Sequence, residues 1–137
     1  MMPAPRHAEY ARKTRETDIT LQLTLDGHGK TELNTGVGFF DHMLDAMCRF
    51  GQMDLKLTCR GDLEVDAHHT VEDCGICLAK ALKEALGDRA GIRRCASAFM
   101  PMDEALAFAA LDISGRPYLA YSADFRAPMC GAMDTQL

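Results

Sequence analysis

The sequence predicts an α+β fold built from two sheet-plus-helices halves, the second incomplete, and three observations carry that prediction. Polar and apolar residues alternate along 17–25 (TDITLQLTL), 53–59 (MDLKLTC) and 62–66 (DLEVD), the pattern of half-buried strands. Apolar residues recur at three- and four-residue steps along FFDHMLDAMCRF and again from Thr70 to Ala85, as amphipathic helices require. Residues 103–116 (DEALAFAALDISGR) lie over 17–30 (TDITLQLTLDGHGK) at a constant offset of 86. That overlay matches Leu25 with Leu111, Asp26 with Asp112 and Gly29 with Gly115.

Taken in order, Thr17–Leu25 is the first strand, and Asp26, Gly27, His28 and Gly29 supply a turn. Residues 30–33 form a returning strand. Asn34, Thr35, Gly36 and Gly38 make a flexible loop into the first helix, where Asp41 suits the N-cap, Met43, Leu44, Met47 and Phe50 form the apolar stripe, and Gly51 is the stop. The 53–59 and 62–66 runs, parted by Arg60 and Gly61, read as a hairpin or two short strands. The second helix begins near Thr70, with Thr70 and Asp73 spaced as a capping box. Val71, Cys74, Leu78, Leu82 and Ala85 line one of its faces and Gly87 closes it. The second copy keeps strands over 103–125, and its first helix opens at MDTQL (133–137), an echo of FDHML (40–44). The halves fall at about 8–92 and 93–137 within a single domain spanning 1–137.

Composition narrows the function. The chain has 137 residues, 47% of them hydrophobic and 26% charged, which suits one globular core. A net charge of −5 with scattered Lys and Arg lacks the electrostatic footprint of nucleic-acid or anionic-membrane binding. The N-terminus is polar and no apolar run spans a bilayer, so the expected location is cytoplasmic and the expected ligand a small molecule. Six cysteines invite a disulfide or zinc framework, but the one CxxC, Cys74 and Cys77, lies inside a helical pattern and no second follows. They are expected to be reduced, buried, small apolar residues.

The densest chemistry is DAHHTVED at 66–73. On a helix His68 and Glu72 stand at i and i+4, and His69 and Glu72 at i and i+3, so the carboxylate can join either imidazole on a metal. Adjacent side chains diverge by about 100°, so the two histidines are expected to serve different ions. His42, beside Asp41 at the start of the other helix, adds a third imidazole. Imidazole with carboxylate suits Mn, Fe, Zn or Ni and excludes a Cys-rich structural zinc. The competing reading is a pair of solvated histidines at a helix entry.

FFDHML, DAHHTVED, GDRAGIRR, PMDEAL and LDISGRP, in this order and spacing, resemble imidazoleglycerol-phosphate dehydratase, the lyase of histidine biosynthesis; the similarity runs from Arg12 to Leu137. The resemblance implies a fold of two similar halves (ribosomal protein S5 domain 2-like). It also implies two manganese ions (Mn2+) at each active site, held between subunits of a large homo-oligomer, and a phosphorylated imidazole substrate. By the same resemblance His42, His68, His69 and Glu72 are the metal ligands, and the three histidines also meet substrate. Glu16, in RKTRET, contacts substrate and shares with Glu72 the candidacy for moving protons, while Arg94 and Arg116 bind the phosphate. Dehydration of the diol beside the imidazole ring takes away a carbon-bound proton, and a metal on a ring nitrogen would stabilise the charge that develops. Asp103 and Glu104 are expected to be structural, with Pro101 fixing strand entry.

Two departures stand out against the family. Phe50 stands where relatives generally place a histidine, and a second HHxxE-type motif, a further histidine and a Ser-Ser-Lys-Gly segment would fall beyond Leu137. The expectation is a C-terminally truncated chain, inactive and poorly stable by itself. A second class of function is therefore an inactive metal-binding relic or fragment. A third, a small metallohydrolase, lacks HExxH.

Overall fold

The computed structural model describes residues 5–137, so the first four residues of the polar N-terminal stretch lie outside the described residues. Residues 5–87 together with Phe125–Leu137 form one compact unit, and Asp88–Asp124 form another. The last thirteen residues thus join the first unit rather than a second half beginning near residue 93.

The first unit is a two-layer α+β structure. Its sheet holds β1 (His7–Lys13), β2 (Thr17–Thr24), β3 (Thr31–Asn34) and β4 (Asp54–Gly61) in the order β1-β2-β4-β3. β1 and β4 flank β2 antiparallel, whereas β3 runs parallel to β4. Alternation along β2 buries Thr17, Ile19, Leu21 and Leu23 and exposes Asp18, Thr20 and Gln22. β4 likewise buries Leu55, Leu57 and Cys59. Helices α1 (Gly38–Gly51) and α2 (His68–Leu86) cover that face. Burying one such Leu or Ile side chain stabilises the fold by about 1.5–3 kcal/mol, so this layer is the main source of its stability.

Several expectations are corrected here. β1 escaped notice because its inward residues, Ala8, Tyr10 and Arg12, are not an apolar series; only the antiparallel pairing with β2 makes it a strand. The 30–33 segment does not return beside β2. It pairs parallel with β4, and parallel neighbours need a long crossover, which α1 supplies. Residues 62–66 are a turn, not a strand, closed by the Val65 amide donating to the Asp62 carbonyl at 2.8 Å.

The helix ends also differ. The N-cap position of α1 is Val37, and Asp41 sits within the first turn, where it accepts from the Thr35 hydroxyl at 2.7 Å and staples the preceding loop. Leu44 and Cys48 are the residues α1 buries, while Met43, Met47 and Phe50 stay exposed. α1 closes at Gln52, whose left-handed backbone (φ 51°) does the work assigned to Gly51. α2 starts two residues before Thr70 with Ala67 at its N-cap position, and the Asp66 carboxylate accepts the His68 amide at 2.7 Å. Thr70 and Asp73 face inward with Cys74, Cys77, Ala81 and Ala85, and Gly87 is the C-cap as expected. Small side chains on this face let α2 lie close to the sheet, which is why Leu82, off the face, remains exposed.

MDTQL forms no helix: β7 (Met129–Cys130) and β8 (Met133–Asp134) make a short ribbon. The second unit is a hairpin of β5 (Cys95–Met102) and β6 (Ala105–Asp112); no strand is assigned over 113–125. Asp103 and Glu104 form its two-residue turn, Asp103 at φ 48°, the conformation such turns demand. Pro101 lies within β5 rather than at its entry. Every residue of both strands is exposed, including Leu106, Phe108 and Leu111; Phe99 and Phe108 stack with centroids 4.7 Å apart.

Candidate active site

Three pieces of backbone converge in the first unit: the β1–β2 turn, the end of β4 and the first turns of α2. The turn is tight because the Thr14 hydroxyl accepts the Glu16 and Thr17 amides at 3.1 and 2.9 Å. Glu16 is thereby held exposed at its tip. The adjacent Thr17 turns inward and donates its hydroxyl to Asp73 of α2 at 2.5 Å, and the Arg12 guanidinium pairs with the same carboxylate. Asp73 is buried, so this clamp ties the Glu16 turn to the helix that carries the histidines. The end of β4 approaches as closely: a Cβ on Gly61 would stand 2.0 Å from the Thr70 hydroxyl oxygen, so only glycine fits there.

Within this cluster the helix geometry predicted for His68 and Glu72 is present: Nε2 and Oε2 are 3.3 Å apart and both side chains face solvent. The rings of His68 and His69 diverge, with planes at 77° and centroids 5.9 Å apart. His69 turns toward Asp62, its Nδ1 2.9 Å from Oδ2. That hydrogen bond, with lesser help from the nearby charges of Asp62, Glu16 and Asp66, raises the His69 pKa above its usual value. Glu16 contributes to that shift through its charge alone; no hydrogen bond joins it to His69. Asp62 was missed by sequence reasoning. Its only sequence signal is GDLEVDAHH, an acid a short loop ahead of the histidines, which gives no hint of which imidazole it meets.

His42 lies on α1, near Phe39 at a ring-centroid distance of 6.3 Å. Among the described residues no three His, Cys, Asp or Glu side chains form a group able to hold a metal ion, so one chain does not bring His42, His68, His69 and Glu72 together as a ligand set. The donor chemistry nevertheless fits a divalent cation. His68 and Glu72 are exposed, correctly spaced and free of other partners that would occupy both.

Arg94 and Arg116 belong to the second unit. Arg94 forks onto Asp112, with Nε–Oδ1 at 2.5 Å and Nη2–Oδ2 at 3.0 Å, so much of its donor capacity is engaged. Arg116 stands in the Ser-Gly-Arg-Pro turn, its amide donating to Ser114 at 3.3 Å. Four cysteines, Cys48, Cys59, Cys74 and Cys77, are buried; burial pushes the Cys48 thiol up to about 11 and raises the others. Thiols held protonated in this way are poor ligands and nucleophiles. Cys95 and Cys130 are exposed, contrary to expectation. No helix among the described residues is long and apolar enough to cross a membrane.

Residues 35–137 match the family model described as imidazoleglycerol-phosphate dehydratase. The chain is 55% identical over 132 residues to the imidazoleglycerol-phosphate dehydratase of Acetivibrio thermocellus, covering 96% of this chain and 68% of that one. It is 53% identical to that of Gluconobacter oxydans, covering 99% and 69%. Among solved structures, the imidazoleglycerol-phosphate dehydratase of Staphylococcus aureus superposes with a TM-score of 0.83 at 32% identity, covering 95% of this chain and 71% of that one. A Pyrococcus furiosus relative gives 0.72 at 37% identity, covering 84% and 60%. With a family model matched over most of its length and relatives above 50% identity, this chain belongs to the imidazoleglycerol-phosphate dehydratase family.

Proposed function

We propose that this chain supplies the catalytic cluster of a metal-dependent hydro-lyase that converts imidazoleglycerol phosphate to imidazole acetol phosphate in histidine biosynthesis. The observation that carries the proposal is the helix that pairs His68 with Glu72, clamped through Asp73 to the turn that bears Glu16. The product dictates the bookkeeping: the hydroxyl on the carbon next to the ring leaves as water, and the neighbouring carbon gives up its hydrogen as a proton. The resulting enol then becomes the ketone of the acetol. Glu16, exposed on the turn clamped to the helix of the imidazole ligands, is the residue to accept that proton, with Glu72 committed to the metal. A bound Mn2+ would supply Lewis-acid stabilisation of charge in the substrate's imidazole ring. His68 with Glu72, His69 and His42 would hold two such ions.

Because no three of these donors assemble in one chain, the proposal includes a homo-oligomer whose sites are completed between subunits, a large one as the family resemblance implies. Arg116 anchors the phosphate, assisted by the donors of Arg94 that Asp112 leaves free. A cytoplasmic location is part of the same proposal. Two similar halves remain the architectural proposal. It is supported by an Arg–Asp fork in each unit, Arg6 on Asp26 and Arg94 on Asp112, bracketing an antiparallel hairpin.

The test measures turnover of imidazoleglycerol phosphate with Mn2+, for this chain and for the chain extended by the C-terminal third of the Acetivibrio thermocellus relative. Glu16→Gln should lower kcat by roughly 10²–10⁴-fold, the usual worth of a general base. Unchanged turnover in Glu16→Gln would remove Glu16 from the reaction.

A further inference from the structure

The carboxylate of Asp62 is used by nothing in the reaction as described, yet its surroundings are unusual. Its side chain is only 20% exposed, and Oδ1 is sequestered from solvent with no hydrogen-bond partner in the structure. Its other oxygen, Oδ2, lies 2.9 Å from Nδ1 of His69. The residue is held there from both sides. Gly61 locks the end of β4 against Thr70, and the Val65 amide closes the following turn on the Asp62 carbonyl. A poorly solvated carboxylate with a single imidazole partner recovers the interactions it has lost by accepting a hydrogen bond from an N–H of that ring.

We infer that Asp62 is a positioning residue that fixes His69 in the Nδ1–H tautomer and aims its unprotonated Nε2 outward as an electron-pair donor. A neutral imidazole carries one proton, and a ring nitrogen that carries it cannot ligate. Holding that proton on Nδ1 removes the wrong tautomer and fixes the ring plane, so a cation meeting Nε2 need not reorganise the residue. His68 has no such support: its Nε2 faces Glu72 and its ring stands across from that of His69. Asp62 therefore makes the two histidines inequivalent. His69 is held through Nδ1 with Nε2 free, whereas His68 meets its carboxylate through Nε2. The assignment of Nε2 to a metal rests on the proposed function, whereas the tautomer does not.

Long-range 1H–15N spectra of the metal-free 137-residue chain, at a pH where the imidazoles are neutral, read the tautomer directly. His69 should show a protonated Nδ1 and a bare Nε2; Asp62→Ala should return the ring to a mixture dominated by the ordinary Nε2–H form. Mn2+ titration of the same samples should show affinity falling roughly tenfold to a hundredfold in Asp62→Ala and Asp62→Asn, with partial recovery in Asp62→Glu. A His69 ring that carries its proton on Nε2 in the unsubstituted chain would overturn the inference, and that measurement needs no variant to fold. So would a tautomer and a Mn2+ affinity both unmoved in Asp62→Ala. The expected tautomer in a chain without Mn2+ affinity would instead sink the functional reading and the metal-directed part of this one, leaving the Asp62–His69 pairing standing.

Discussion

Replacing Asp73 by Asn removes one charge from the clamp that joins the Glu16 turn to α2 and changes little else in shape. The Asn carbonyl still accepts from Thr17, but Arg12 loses its counter-charge beside a buried position. Breaking a fully buried ion pair from one side costs about 3–5 kcal/mol. The Arg12 side chain is 32% exposed, so water recovers part of that, and about 2–3 kcal/mol remains. In a chain of this size such a loss lowers Tm by roughly 5–10 °C. Adding Arg12→Met to Asp73→Asn removes the stranded charge, so the double variant should be more stable than Asp73→Asn alone. Urea unfolding of the four proteins, followed by circular dichroism, gives the coupling directly. A loss under about 0.5 kcal/mol in Asp73→Asn, or a double variant that loses the sum of the single losses, would refute the clamp.

The other expectations test different links. Arg116→Ala, assayed in the extended chain, should raise KM for imidazoleglycerol phosphate at least tenfold and change kcat less, since a charge-assisted phosphate contact contributes to binding before the reaction begins. Gly61→Ala should destabilise by roughly 1–3 kcal/mol in chemical denaturation, because its Cβ meets the Thr70 oxygen at 2.0 Å and one element must give way. Asp26, held down to about 2 from 3.8 by the Arg6 fork, contributes stability that is present above the ordinary value and lost as pH falls through about 2. The stability gap between the chain and Asp26→Asn should therefore hold above pH 4 and close toward pH 2. His69 has the opposite sign. Its raised pKa contributes stability in full below the usual 6.5, and that contribution is lost as pH rises through the folded value. Hydrogen exchange should show weaker protection along β5 and β6 than along β2 and β4, since an exposed two-stranded hairpin has little apolar burial to hold it closed.

The sequence determined what depends on neighbours along the chain. Period-two alternation locates β2 and the inward residues of β4, period-3.6 recurrence locates both helices, and four-residue spacing pairs His68 with Glu72. Motif resemblance identified the family. Pairings across the chain were decided only by the tertiary structure. β1 has an arginine where an apolar residue would have marked it, and becomes a strand because β2 offers an edge and Asp73, 56 residues beyond Thr17, takes that charge. Residues 30–34 carry no signal for parallel or antiparallel pairing; the α1 crossover settles it. Thr70 and Asp73 read as a cap because their types suit one, yet the helix begins earlier, and burial against β1 and β2 gives Asp73 the Arg12 guanidinium and the Thr17 hydroxyl in place of a backbone amide. The meeting of Asp62 with His69, and of the Glu16 turn with α2 through Asp73, follows from the same cause. Three chain segments approach one another because the sheet and α2 share a core, and periodicity along one segment does not report which residue of another will face it.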